Sequence, residues 1–275
     1  MLRHLAPPRQ RHGRARLRLF RDDLTLSIAA TSTIALDPGL DPQRLQPVFK
    51  RFGRLHVPGV FTPAAAAAIA GAFDEAGGWK RSIHLGPGQD LDIPIENLEA
   101  LPAERRADIE ARMRAGSRDV FSYLFDALRV SDALDRGEPM HPVLLDACRF
   151  VRSPAFLDFV RVMTGDSRPM WADMMASRYL PGHFLTTHDD EQAGHDRLYA
   201  YVLGFSPQWR TDWGGLLMFV DPDGHVSEAY TPTFNSLNIF RVPQPHAVSL
   251  VAHFAQAPRH ALTGWLHGRP PAGKG

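Results

Sequence analysis

One cysteine in 275 residues excludes an intramolecular disulfide framework, so the fold has to rest on a packed core, and a reducing, cytoplasmic compartment is expected. Cys148 itself reads as a small buried hydrophobe, not a nucleophile. No apolar run reaches the roughly 18 residues of a membrane span, so neither a transmembrane helix nor a membrane partner is expected. An excess of one charge is missing too. Lys and Arg number 31 and Asp and Glu 30, a formal net charge of +1, which gives no global pull toward nucleic acid. Acids are absent from the first 21 residues, "MLRHLAPPRQRHGRARLRLFR", which hold seven arginines. This segment is read as part of a partly disordered N-terminal extension over residues 1–45, without a nucleic-acid role. "DDLTLSIAATSTIAL" follows, with Asp22 and Asp23 at its head and Ser and Thr diluting its apolar run. It reads as a strand or loop of the mature protein and not as a signal peptide. Internal repeats and low-complexity linkers are lacking as well.

What is present is an ordinary globular composition, 44% hydrophobic and 22% charged. "RLHVPGVF" (54–61) alternates like a strand, and Thr62 and Pro63 mark a helix start for "PAAAAAIAGAFDEA". Residues 77–90 are Gly-broken and read as loop flanking a strand. Residues 102–135 show helical spacing, and 141–165 read as two helices, the second starting near Ser153-Pro154 and ending at Gly165. From residue 168 the texture changes to short alternating segments. Strands are expected at "WADMMASRYL", "FLTTHD", "RLYAYVLGFS", "GGLLMFVD", "SLNIFRV", "AVSLVAHF" and "RHALTGWLH". The expected fold is α+β, a sandwich or jelly roll buttressed by N-terminal helices. Its divisions are the extension, a mainly helical support region over 46–167, and a β core over 168–268. Residues 46–268 form one compact domain in this reading.

"TTHDDEQAGHD" (186–196) is either a solvated acidic loop or half of a metal site. On a strand, His188 and Asp190 point to one face and Asp189 to the other. His195 lies too far along the chain to share an ion with His188. A His-x-Asp pair is two thirds of the 2-His-1-carboxylate set that suits non-haem Fe(II), and the third ligand has to come from a distant strand. His246, in "FRVPQPHAVSL", is a candidate, although most of the 13 histidines are surface or satisfied core residues.

The order "HDD…RLYAYVLGFSPQWRTDWGGLLMFV…FNSLNIFRVPQPHAVSLV…RHALTGWLHG" resembles the double-stranded β-helix of prolyl-4-hydroxylase-type 2-oxoglutarate/Fe(II) dioxygenases. It is most similar to the ribosomal-protein and oxygen-sensing prolyl hydroxylases, over roughly residues 168–268. The resemblance implies Fe(II) held by His188, Asp190 and His246, which are then also the catalytic residues, with 2-oxoglutarate and O2 as cosubstrates and ascorbate as a stimulant. It implies that Arg259 pairs with the distal carboxylate of 2-oxoglutarate, and that Tyr179 and Thr263 bind the same molecule. Arg197 and Trp265 fall toward the substrate side. Asp190 argues for hydroxylation, since halide-transferring relatives carry a small residue there.

The chain departs from the pattern near Gly204, where some relatives carry a tyrosine. Tyr199 and Tyr201 are expected on the wrong face to replace it, His253 is expected in a loop, and Trp209 is read as core or pocket wall. The implied reaction is hydroxylation of an unactivated C–H bond, with release of succinate and CO2. A prolyl residue of a protein or peptide leads as substrate, and a free amino acid or specialised metabolite is the alternative. Rival readings are a non-catalytic β-helix binding or sensing module and a cupin-like Zn or Ni site. Oligomeric state is not set by the sequence.

Overall fold

Asp126, inside the stretch expected to be helical, has no exposed surface and sits between Arg81 and Arg178 in a β-sheet. The computed structural model describes residues 34–270 apart from 85, 87, 117–120 and 193. The arginine-rich segment and most of "DDLTLSIAATSTIAL" therefore lie outside the described residues.

In chain order the elements begin with α1 (Pro42–Phe52), β1 (Arg54–Pro58), α2 (Pro63–Glu75), β2 (Lys80–His84) and β3 (Asp90–Pro94). Next come α3 (Ile95–Ala100), α4 (Ala103–Gly116), β4 (Tyr123–Leu128), α5 (Val130–Arg136), α6 (Pro142–Val151) and α7 (Pro154–Thr164). The β region follows as β5 (Trp171–Ala172), β6 (Met175–Tyr179), β7 (Phe184–His188), β8 (Arg197–Phe205) and β9 (Leu217–Val220). It closes with β10 (Val226–Tyr230), β11 (Phe234–Arg241), β12 (His246–Val248) and β13 (Arg259–His267).

Local chemistry explains the helix ends. Asp41 caps α1 by accepting from the Gln43 N–H, Thr62 caps α2 by accepting from the Ala65 N–H, and a left-handed Gly165 stops α7. Residues 34–45, assigned in advance to the extension, belong to this structure: Leu36 bridges to Phe61, and α1 buries Phe49.

All strand pairs among the described residues are antiparallel, in the order β1-β11-β8-β13-β6-β4-β7-β12-β9-β10, with β2 attached to β4, β3 to β2, and β5 to β13. This is the nearly closed sheet of a jelly roll. The two faces of β8 show how it is layered. Tyr199, Tyr201, Leu203 and Phe205 join Ile69, Phe73, Phe156 and Val160 of the helices in one core, while Ala200 and Val202 face a cavity. Burying such a sheet face against helices supplies the main driving force of the fold.

Three expectations need correction. Residues 102–135 are not helical throughout, because β4 interrupts them. Leu124 and Phe125 pack on opposite faces of the sheet, in separate clusters. A strand covered on both sides reads as a nearly continuous apolar run, and its spacing imitates a helix. "WADMMASRYL" is two strands, broken at Asp173-Met174, where the Asp173 carboxylate accepts from the Trp265 backbone N–H and its carbonyl from the Tyr201 hydroxyl. "AVSLVAHF" keeps only β12, which starts one residue earlier, at His246. The strand β10 and the strand character of β2–β3 came without a marked signal. No helix among the described residues is long and apolar enough to cross a membrane.

Candidate metal centre and cosubstrate pocket

Cross-strand register brings the two histidines together. His246, the first residue of β12, pairs directly with His188, the last of β7, and their ring centroids lie 4.1 Å apart. Asp190 reaches them by a different route from strand alternation. The chain leaves β7 at His188, and Asp190 takes a left-handed conformation, φ 66°, which Asp tolerates better than most residues. Its Oδ1 then stands 3.3 Å from His188 Nε2, and its Oδ2 3.4 Å from His246 Nε2. These three side chains can offer ligand atoms all within 4.8 Å of one another. His195 is not among them.

Backbone carbonyls select the imidazole tautomers. His188 Nδ1–H donates to the Thr186 carbonyl at 3.0 Å, and His246 Nδ1–H to the Gln244 carbonyl at 2.7 Å. Both Nε2 lone pairs therefore face the Asp190 carboxylate, the arrangement a metal-binding histidine needs. Burial pushes His246 down to about 4, helped by His188, so its imidazole is neutral near neutral pH. Burial alone pushes the Asp190 carboxyl up, but the imidazoles of His188 and His246 outweigh it and leave it below the usual range.

Behind Asp190 sits a stacked pair. Arg197 Cζ lies 3.7 Å from the centre of the Trp265 ring, and Arg197 Nη1 donates to the Asp190 carbonyl at 3.1 Å. Arg197 Nε and Trp265 Nε1 are buried without a hydrogen-bond partner. These two residues line the same cavity as the triad, but they back onto Asp190.

That cavity measures about 570 Å3 and also receives Tyr179, Arg259 and Thr263. Arg259 opens β13 directly opposite Tyr179 of β6, with its guanidinium 4.9 Å from the phenol ring. It is only 4% exposed, and burial pushes its pKa down. No carboxylate among the described residues pairs with it, and its Nε has no hydrogen-bond partner. A buried guanidinium without an anion is costly, and the cost is offset when an anionic ligand arrives. Tyr179, raised to about 12 by burial, stacks on Phe125 with ring centroids 5.2 Å apart. Thr263 stands further along β13, opposite Met175 and Val202.

The other candidates fall elsewhere. Tyr199 donates to Asp166 at 2.7 Å and Tyr201 to the Asp173 carbonyl at 2.6 Å, both away from the triad. Gly204 leaves no room for a tyrosine, because a Cβ there would come within 2.4 Å of the Thr233 carbonyl oxygen. Trp209 donates to the Gly214 carbonyl at 2.9 Å and packs beside Val248 and Val251. His253 is exposed on a loop.

Sequence reasoning missed one wall of the cavity, made by Phe121, Tyr123 and Phe125 with His84 and Asp90. The period-2 placing of the three aromatic rings was a signal for it, masked by the helical spacing of Phe121, Leu124, Phe125 and Leu128.

Comparison with known proteins agrees with this geometry. Residues 174–267 match the 2OG-Fe(II) oxygenase superfamily. Over 162 residues the chain is 28% identical to prolyl 3-hydroxylase OGFOD1 of Mus musculus, a match covering 55% of this chain and 28% of that protein. The chain thus spans under a third of that relative's length.

Among solved structures, an oxidoreductase of the 2OG-Fe(II) oxygenase family from Burkholderia pseudomallei superposes with TM-score 0.54 at 14% identity, over 86% of this chain and 95% of that one. A Trichoplax adhaerens prolyl hydroxylase, solved with a hypoxia inducible factor oxygen degradation domain peptide, gives TM-score 0.52 at 11% identity, over 82% and 89%. At those identities the likeness establishes the fold alone. The family match, the His-Asp-His cluster and the jelly roll together identify residues 174–267 as a 2OG-Fe(II) oxygenase domain.

Proposed function

We propose that the protein hydroxylates an unactivated C–H bond of a prolyl residue in a protein or peptide, consuming 2-oxoglutarate and O2 and releasing succinate and CO2. Fe(II), 2-oxoglutarate and O2 come with the family. The observation that carries the reading is Arg259, a buried cation that meets no anion among the described residues, in one cavity with a His-Asp-His cluster. Together they fit a metal-chelating diacid.

In this reading His188 Nε2, His246 Nε2 and an Asp190 oxygen hold the iron, a mixed imidazole and carboxylate set suited to Fe(II) that leaves positions for other ligands. Arg259 takes the distal carboxylate through parallel N–H donors, and the hydroxyls of Tyr179 and Thr263 complete that end. The iron and cosubstrate, when bound, couple oxidative decarboxylation to oxygen insertion into a C–H bond. The chain's own part is to fix the ligands, exclude water and aim the substrate. A peptide substrate is favoured by the relative named as a prolyl 3-hydroxylase and by the cavity's open, partly aromatic mouth. A cytoplasmic location suits the reduced, buried Cys148.

The test is anaerobic. Fe(II) and then 2-oxoglutarate are added to the protein, and a weak visible charge-transfer band is expected. The band should be lost in Asp190→Ala and should require far more 2-oxoglutarate in Arg259→Ala. Iron bound without any band would overturn the cosubstrate assignment and leave a β-helix binding module. Succinate release with prolyl peptides then examines the substrate.

A further inference from the structure

The two ends of the cavity differ in chemistry. Arg259 and Tyr179 close the buried end. Toward the mouth, the chain running into β4 lays Phe121, Tyr123 and Phe125 along one wall, with successive ring centroids 5.8 and 5.3 Å apart. His84 packs on the two outer rings, 5.2 Å from Phe121 and 5.5 Å from Tyr123. Phe121 keeps 39% of its surface exposed, an apolar face left open inside a binding cavity. Its ring lies 5.2 Å from that of His188, so a group covering it sits beside the triad. The wall is also pinned. Tyr123 Oη donates to Asp90 Oδ1 at 2.9 Å, and His84 Nδ1–H donates to the same oxygen at 2.6 Å.

We propose that Phe121 and Tyr123 are specificity-determining residues whose rings receive the pyrrolidine ring of the prolyl substrate, with Asp90 as the positioning residue that fixes them. The inference rests on the prolyl reading above and adds to it the surface that selects the ring. A saturated ring can lay polarised C–H bonds on aromatic faces. It has no side-chain rotamers to freeze, whereas a long flexible chain loses that freedom on the same flat wall. A ring lying on Phe121 also presents its carbons next to His188, where hydroxylation has to occur. Asp90 acts at one remove. It holds Tyr123 and His84 in place through the hairpin β2–β3, whose strands pair from Lys80 opposite Pro94 to His84 opposite Asp90.

Saturation-transfer NMR tests this without turnover. The protein is loaded with redox-inert Zn(II) and 2-oxoglutarate, and the probes are N-acetyl-glycyl-L-prolyl-glycinamide and its leucyl analogue at millimolar concentration. In the wild type the pyrrolidine protons should receive more saturation than the glycyl methylenes and more than the leucyl side chain. Scaled to the 2-oxoglutarate signals, the prolyl signal should fall by about twofold to fivefold in Phe121→Leu and recover in Phe121→Trp. Asp90→Asn should give an intermediate loss.

Equal prolyl saturation in wild type and Phe121→Leu would overturn the wall while leaving the prolyl reading intact. Wild type that binds 2-oxoglutarate but neither probe, or both alike, would overturn the wall and the prolyl reading together, with the reaction class standing. Absence of 2-oxoglutarate binding would remove the reaction class itself and the wall with it.

Discussion

Asp126 and Arg259 are both buried charges, on strands separated only by β6, and the fold treats them in opposite ways. Asp126, with no exposed surface, lies between Arg81 and Arg178, each its direct cross-strand partner, and Arg178 Nη2 stands 3.0 Å away. Its charge is fully answered within the chain, and it ties β2, β4 and β6 into one sheet. Arg259 faces the cavity and has no such answer among the described residues. The contrast separates a charge used for structure from one reserved for a ligand, since an unpaired buried charge persists only where something else compensates its desolvation.

The comparison can be broken from either side. The largest stability effect is expected from Asp126→Ala, which strands two arginines and should cost about 3 kcal/mol in a denaturant titration. A loss well under 1 kcal/mol would mean the three-residue cluster is not structural. Arg259→Met should do the reverse without ligand, raising stability by about 1 kcal/mol as the lone cation disappears, while weakening 2-oxoglutarate roughly a hundredfold in calorimetry. A destabilised Arg259→Met protein with unchanged affinity would erase the distinction between the two charges.

The same logic applies to the orphan donor behind Asp190. Trp265→Phe keeps a ring against Arg197 but removes the indole N–H, and should weaken Mn(II) binding about tenfold, read from the EPR signal of the free ion. The smallest effect is on pH. Burial holds His183 and His260 at about 4, so between pH 6.5 and 4 the unfolded chain carries more protons than the folded one. Stability from these residues is complete above pH 6.5 and declines as pH falls toward 4. His260→Phe keeps a ring stacked on Phe73, 4.6 Å away in the wild type, and should flatten the decline in thermal midpoint.

The β region was legible because its strands are short, alternating and bounded by Gly, Pro and Asp. "RLYAYVLGF" and "RHALTGWLH" show it best, since each has one face on the helices and one on the cavity. The helices α2 and α7 were legible from their caps. β4 was not, for the opposite reason: a strand packed on both faces loses its alternation. With it went the aromatic wall and Asp126. Asp190 shows a different limit. The expected convergence with His188 occurs, but through a left-handed residue after the strand's end and not through strand alternation.

By itself, the sequence determined the order of helices and β region and which histidines, acids and arginines were available to a site. Only the tertiary structure decided that His246 registers against His188, that Arg259 meets no carboxylate among the described residues, and that Phe121 stands exposed beside the triad. Those facts depend on strand pairing between residues far apart in the chain, and on which charges the packed sheet leaves unanswered. Local propensity carries information about neither.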